Sequence, residues 1–275
     1  MMTDHFFTPT GVRLRQLSAR AGDLNWLLLP GGPGIGSESL VELAEVLDVP
    51  GAIWLVDLPG DGSNRHPPGA PPDPYTLWPQ VVVEAAQALT DVVFVGHSTG
   101  GMYLLATPEL EHHIRGLVLL DTAPDASWHP RYVEMTSRHP LAAVDAAAAV
   151  YEQDKRDENI AAVAVASAEW NFTPAALEAG RALLARMPYN SAAVDWSDAN
   201  FDHSYRALWW PRSVPVLILA GAEDLIVWQG SWDDERFRTP NVVRRTVSGA
   251  GHFPWIDNPG AVGAAFAEFA GLVTA

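Results

Sequence analysis

Short apolar runs recur along this chain, and each is stopped by glycine, proline or aspartate. Residues 25–29 (Asn-Trp-Leu-Leu-Leu), 52–56, 92–95, 116–120 and 215–221 carry almost no polar side chain and are too short for buried helices. They predict strands covered on both faces. Residues 241–247 give a last strand, and residues 6–17 a hairpin whose second arm alternates. Between the strands the spacing turns helical. Leu40, Leu43, Ala44 and Leu47 repeat at helical intervals over 37–47, and helices are expected up to Leu89, from Gly101, and over 259–272. Strand alternating with helix predicts an α/β fold around a mostly parallel, doubly wound sheet.

That rhythm breaks between about Thr122 and Arg212, where strand runs stop and alanine-rich helical stretches appear at 141–151, 159–169 and 174–187. It resumes at Pro215. The expected organisation is therefore a core of residues 1–123 and 212–275, with residues 124–211 inserted as a helical cap. Neither an internal repeat nor an extended low-complexity segment is evident.

Composition narrows the function. The chain has 275 residues, 48% hydrophobic and 18% charged, which suits one large globular unit. With 33 acidic against 17 basic residues the net charge is −16, so nucleic acid or an anionic membrane would be repelled. Without cysteine there is neither a disulfide framework nor a thiolate site. No apolar run is long enough to span a bilayer, and the start, Met1-Met2-Thr3-Asp4-His5, lacks a secretory pattern; a cytoplasmic location is expected. No metal cluster, phosphate loop or dinucleotide fingerprint is present, so no cofactor is expected.

The candidate chemistry starts at Val92-Val93-Phe94-Val95-Gly96-His97-Ser98-Thr99-Gly100-Gly101. A strand, a tight turn and a helix follow one another with serine at the apex. Positions two before and two after the serine are glycine, as a turn this sharp requires where backbone packs on backbone. A serine hydroxyl is a weak nucleophile and needs a histidine, itself oriented by a carboxylate. Downstream, one strand ends in Gly221-Ala222-Glu223-Asp224 and the next in Ser248-Gly249-Ala250-Gly251-His252. All three groups follow the carboxyl ends of strands, where a parallel sheet gathers its ligands. Glu223 and Asp121 remain alternatives for the acid, and His97 is expected to pack beside the turn.

Five segments, L-L-P-G-G-P-G, V-D-L-P-G-D-G-S-N, V-G-H-S-T-G-G, L-A-G-A-E-D and G-A-G-H-F-P-W-I-D-N-P, occur in order with the right elements between them. In these the chain resembles the α/β-hydrolase superfamily over nearly its full length. The resemblance implies Ser98 as nucleophile, His252 as general acid/base and Asp224 as its orienting carboxylate. Its oxyanion hole would be the amides of Thr99 and Gly32, since Pro33 has no N–H. Pro30 stands where such loops commonly carry histidine, which weakens assignment to a subfamily.

The lead expectation is hydrolysis of a small ester through an acyl-enzyme. The substrate is a small molecule with an apolar portion, because Trp128, Trp170, Trp196, Trp209 and Trp210 crowd the insert and suggest an aromatic-walled pocket. The first alternative is an aminopeptidase similar to the proline iminopeptidases, with Glu169 holding a free amino group beside Trp170. The chain is short for that family, and Asp57-Leu58-Pro59-Gly60-Asp61-Gly62 departs from its pattern. Carbon–carbon bond hydrolases and cofactor-free oxygenases share the triad, and a ligand receptor on this fold is the non-enzyme alternative.

Overall fold

A computed structural model describes residues 4–274; residues 1–3, part of the start read for a leader, and residue 275 lie outside the described residues. Eight strands, β1 (His5–Phe7), β2 (Arg13–Ala19), β3 (Asn25–Leu29), β4 (Ala52–Asp57), β5 (Val92–His97), β6 (Ile114–Leu120), β7 (Val216–Gly221) and β8 (Val242–Val247), form one sheet in the order β1-β2-β4-β3-β5-β6-β7-β8. β1 pairs antiparallel with β2, and β2 with β4. Every other pairing is parallel.

The apolar runs are the inner strands, and side-chain alternation splits each between two cores. Trp26 and Leu28 of β3, Val93 and Val95 of β5 and Leu217 and Leu219 of β7 face one layer. Leu27, Leu29, Val92, Phe94, Val216 and Ile218 face the other. The first layer holds α1 (Val41–Val46), the short α10 (Pro254–Asp257) and α11 (Pro259–Thr274); the second holds α2 (Trp78–Gln87) and α3 (Thr99–Leu105). The edge strand β8 exposes Arg244, Arg245 and Thr246, and charge of this kind guards an open edge against pairing.

Strand order reverses at β3: the chain first steps to β4 on one side, then crosses to β5 on the other. The loops after β3 and β5 therefore diverge and leave a crevice at their carboxyl ends. Gly31, Gly32 and Ser98 stand there.

Six helices separate β6 from β7: α4 (Trp128–Arg138), α5 (Ala142–Gln153), α6 (Asp157–Ala166), α7 (Ala168–Asn171), α8 (Leu177–Ala185) and α9 (Ser191–Asn200). The single helix expected over 159–169 is two, α6 and α7. Ser167 turns back at the joint, its Oγ donating to the Ala164 carbonyl at 2.9 Å while Asn171 Nδ2 bonds its own carbonyl at 2.9 Å. The helix expected over 37–47 likewise begins as a tighter turn, Ser37–Leu40, before α1. Among the described residues no helix is long and apolar enough to cross a membrane.

Candidate active site

Ser98 joins β5 to α3 with φ 51° and ψ −126°, a region that few side-chain-bearing residues occupy. Its amide donates to the Leu120 carbonyl at 2.9 Å, and Thr122 Oγ1 donates to its carbonyl at 2.6 Å. Glycine supplies the room. A Cβ on Gly96 would lie 2.6 Å from Gly101 Cα, and one on Gly100 would lie 2.4 Å from the Pro30 carbonyl oxygen. Backbone cannot yield to either contact, so both positions exclude every larger residue.

Asp224 follows β7 and His252 follows β8, and the two meet. His252 Nδ1 lies 3.1 and 3.2 Å from the two Asp224 carboxylate oxygens. Asp224 Oδ1 also accepts the amides of Ile226 (2.8 Å) and Val227 (3.1 Å), and Oδ2 accepts from Gln229 Nε2 at 3.3 Å. A carboxylate so anchored fixes the tautomer of its histidine: Nδ1 carries the hydrogen, and Nε2 is left to accept a proton. The His252 backbone is held from the helical segment, its amide donating to the Asn171 carbonyl at 2.8 Å. Asp257 ties the same regions together, accepting from the Gly251 amide (2.9 Å) and from the amide (2.9 Å) and hydroxyl (2.6 Å) of Thr173.

Of the alternative acids, Glu223 is exposed. Asp121 is fully buried behind Asp224, and oxygens of both carboxyls and a His252 ring nitrogen lie within 4.8 Å of one another. Asp121 Oδ1 accepts the Gly221 amide at 2.8 Å. Burial first, then the nearby Asp224 charge, push its carboxyl well above the usual carboxylate range. His97 packs beside the turn, between His252, Phe253 and Trp255. Burial, reinforced by His252, holds its pKa well below the ordinary imidazole value, so the ring is neutral.

Ser98 and His252 share the wall of a cavity of about 290 Å³. Among the described residues no hydrogen bond joins their side chains; histidine–serine bonds are often long before substrate arrives. Gly32 lines the same cavity, and Thr99 lies behind it with Oγ1 3.4 Å from the Gly32 carbonyl. The rest of the wall is mainly apolar: Ile160, Val163 and Ala164 of α6, Leu184 of α8, Val194 of α9 and Ile226. Tyr132, Tyr189 and Phe253 are its aromatic members, and among the described residues lining it none is Asp, Glu, Lys or Arg.

The four residues expected to touch substrate stand outside this cavity, and no tryptophan lines it. Glu169 is half exposed and paired with Arg181 at 2.8 Å. Trp170 donates its indole N–H to the His139 carbonyl at 2.8 Å, and its ring meets Tyr132 edge-on. Trp128 packs on His129 and Tyr132. Trp210 sits by Trp232 and Phe237 at the amino end of β8. The indoles brace the structure, and small aliphatic side chains shape the space. The sequence signal for those was the unbroken apolar run Ile160-Ala161-Ala162-Val163-Ala164-Val165, which has no polar face to turn to water.

Asp121, Asp224 and His252 also form a set of potential metal ligands. Of the three, Asp224 and His252 are hydrogen-bonded to each other, and Asp121 is bonded to the Gly221 amide behind them.

The model of the alpha/beta hydrolase family matches residues 26–265. A pimeloyl-[acyl-carrier protein] methyl ester esterase of Xylella fastidiosa is 26% identical over 264 residues, covering 88% of this chain and 94% of its own. Among solved structures, a proline iminopeptidase-related protein from Thermus thermophilus superposes with a TM-score of 0.72 at 20% identity, covering 98% of this chain and 97% of its own. An esterase from Rhodococcus superposes with a TM-score of 0.66 at 17% identity, covering 100% and 99%.

Proposed function

The chain belongs to the alpha/beta hydrolase family, and on that premise we propose that it is a serine carboxylesterase for small esters with an uncharged, apolar acyl group. The observation that carries this reading is one cavity in which Ser98 and a carboxylate-anchored His252 face an apolar wall without a charged side chain. An aminopeptidase needs an anion to hold the substrate's ammonium group, and the cavity lining offers none. The 26% relative is named for a methyl ester, that of pimeloyl-[acyl-carrier protein], which shares the ester of a small alcohol but carries its acyl chain on a protein.

His252 Nε2 takes the Ser98 hydroxyl proton as Oγ adds to the ester carbonyl. The resulting oxyanion is held by the Gly32 and Thr99 amides. The C–O bond to the alcohol then breaks, and the alcohol leaves with the proton from His252. Water, deprotonated by His252, adds to the acyl-enzyme, and the carboxylate product departs as Ser98 recovers its hydrogen. Asp224 stabilises the imidazolium through its bond to Nδ1. Residues 124–211 act as a cap: α4, α6, α8 and α9 wall the acyl site and exclude water. A volume near the lower end of ligand pockets, roughly 300 Å³, suits short and medium acyl chains.

The test is a series of p-nitrophenyl esters of rising chain length, with prolyl p-nitroanilide alongside, on wild type and Ser98→Ala. Ester turnover that disappears in the variant, with the anilide untouched, is expected. Turnover that survives Ser98→Ala sinks the mechanism, and preference for the anilide replaces the ester reading with a peptidase.

A further inference from the structure

The turn after β4 carries a buried acid without a cationic partner among the described residues. Asp61 is 2% exposed, and among the described residues it makes no salt bridge. The acids nearest it are Asp57 and Glu38. Two arginines that could neutralise it, Arg13 and Arg15 of β2, are taken up by those same acids, Arg13 Nε and Arg15 Nε reaching Asp57 at 2.9 and 2.8 Å. The third nearby cation, Arg65, pairs with Asp157 at 2.8 Å and donates to the Tyr189 carbonyl. A buried carboxyl among acids costs stability unless it is compensated.

What Asp61 does hold is the loop after β3. Its Oδ1 accepts the Gly34 amide at 2.9 Å. The Gly34 carbonyl, in turn, accepts the Asn190 amide at 2.8 Å, and Asn190 Nδ2 donates to the Gly60 carbonyl, next to Asp61. Three segments thus close a ring: the loop after β3, the turn after β4 and the start of α9. The contact is too tight for a side chain, since a Cβ on Gly34 would lie 2.5 Å from the Asn190 carbonyl oxygen. Gly34 lies two residues from Gly32 with Pro33 between them, so the bond that holds the Gly34 amide restrains the loop that carries the Gly32 amide.

We propose that Asp61 is a positioning residue for the oxyanion hole, fixing the Gly32 amide through Gly34, and that its ionisation state tunes turnover. This rests on the reading of Gly32 as an oxyanion donor. A hydrogen bond to a carboxylate is roughly twice as strong as one to a neutral acceptor, so the clamp is tight when Asp61 is charged and slack when it is protonated. Burial first, then the charge of Asp57, push its pKa up to about 7. The other titratable groups facing it are Glu38, in the turn before α1, Tyr75, before α2, and Tyr103 of α3. Both tyrosines have pKa values raised by burial, so they stay neutral where Asp61 titrates.

The experiment measures kcat and KM for p-nitrophenyl butyrate from pH 5 to 9 on wild type, Asp61→Asn and Ser98→Ala. Asp61→Asn keeps the shape and one acceptor oxygen for the Gly34 amide, removes the charge and turns the second oxygen into an N–H donor. It is expected to lower kcat at pH 8 about threefold to thirtyfold, a fraction of the 10²–10³ seen when an oxyanion donor is deleted, with KM within about twofold. The wild-type limb of kcat near pH 7 attributable to Asp61 is expected to vanish in the variant. A wild-type kcat and an unchanged pH profile in Asp61→Asn overturn the inference while leaving the esterase reading intact, provided Ser98→Ala is dead. Activity in Ser98→Ala overturns both.

Discussion

The imidazole of His97 lies 2.9 Å through Nε2 from the backbone carbonyl of His252, 155 residues away in sequence. The acceptor is a carbonyl and the ring is neutral, so Nε2 carries the hydrogen and donates it. One turn residue thereby holds the main chain of the proposed base beside the proposed nucleophile. His97→Phe keeps the ring that packs on Trp255 and leaves the His252 carbonyl buried without its donor. Loss of that bond should cost about 1–3 kcal/mol in urea unfolding. Displacement of the base should lower kcat by about tenfold to a hundredfold. Full activity in a destabilised variant would limit the contact to folding.

Gly100 tests the turn itself. A methyl there meets the Pro30 and Leu29 carbonyl oxygens at 2.4 and 2.7 Å, where β3 ends and the loop after it begins. The substitution must part β3 from α3, which moves Ser98 away from the loop holding Gly32. Gly100→Ala should lose at least about 10² in kcat/KM and about 1–3 kcal/mol of stability, the usual cost of overpacking. Labelling of Ser98 by a fluorophosphonate should slow in parallel. A variant labelled at the wild-type rate would show that the turn tolerates the methyl.

These contacts explain what could be read from the sequence. Trp26-Leu27-Leu28-Leu29 and Val92-Val93-Phe94-Val95 are apolar on every residue because the sheet is covered on both faces. Alternation with helices then predicts a parallel sheet, and a parallel sheet gathers the residues that follow its strands, here Ser98, Asp224 and His252, at one edge. The helical insert obeys no such rule. α4 exposes Val133 at 49%, and its apolar stripe, Trp128, Tyr132 and Met135, is only half-buried, so the pattern does not say what it covers. Tryptophans were a poor guide to the cavity because an indole N–H needs a partner, and those of Trp170, Trp209 and Trp232 find backbone carbonyls far along the chain. Asp61 reads in sequence as a turn aspartate, since its acidic neighbours and its bond to Gly34 exist only after three loops meet.

Asp121 and Asp224 should respond oppositely to loss of charge. Asp224 is the carboxylate bonded to His252, and its amide analogue favours the wrong tautomer; Asp224→Asn should cost about 10⁴ in kcat. Burial first, then the charge of Asp224, raise the folded pKa of Asp121 well above the unfolded value near 3.9. Such a group binds more protons folded than unfolded. Its contribution to stability is therefore largest at low pH and declines as pH rises above about 4 towards the folded pKa. Asp121→Asn removes that decline: the variant should be as stable as wild type at pH 4 and more stable at pH 8, by chemical denaturation at both. Its kcat should stay within about threefold, since an amide replaces a neutral carboxyl of the same shape. Collapse of activity in Asp121→Asn with Asp224→Asn still active would exchange the two acids.

The wall formed by α6 should set acyl length. Ile160, Val163 and Ala164 face the cavity from one helix, and Ile160 is only partly buried, so trimming it spares the core. Each buried methylene is worth about 0.8 kcal/mol, or roughly fourfold in kcat/KM, until the chain meets the far wall. Ile160→Ala removes three carbons of that wall. In a p-nitrophenyl ester series the preferred acyl chain should lengthen by about two to three carbons, with kcat on the shortest ester little changed because the groups around Ser98 are untouched. Ile160→Phe should shorten the optimum by a similar amount. An optimum that ignores both substitutions would place the acyl chain on another wall, and the same pair of changes at Leu184 and Val194 would then locate it.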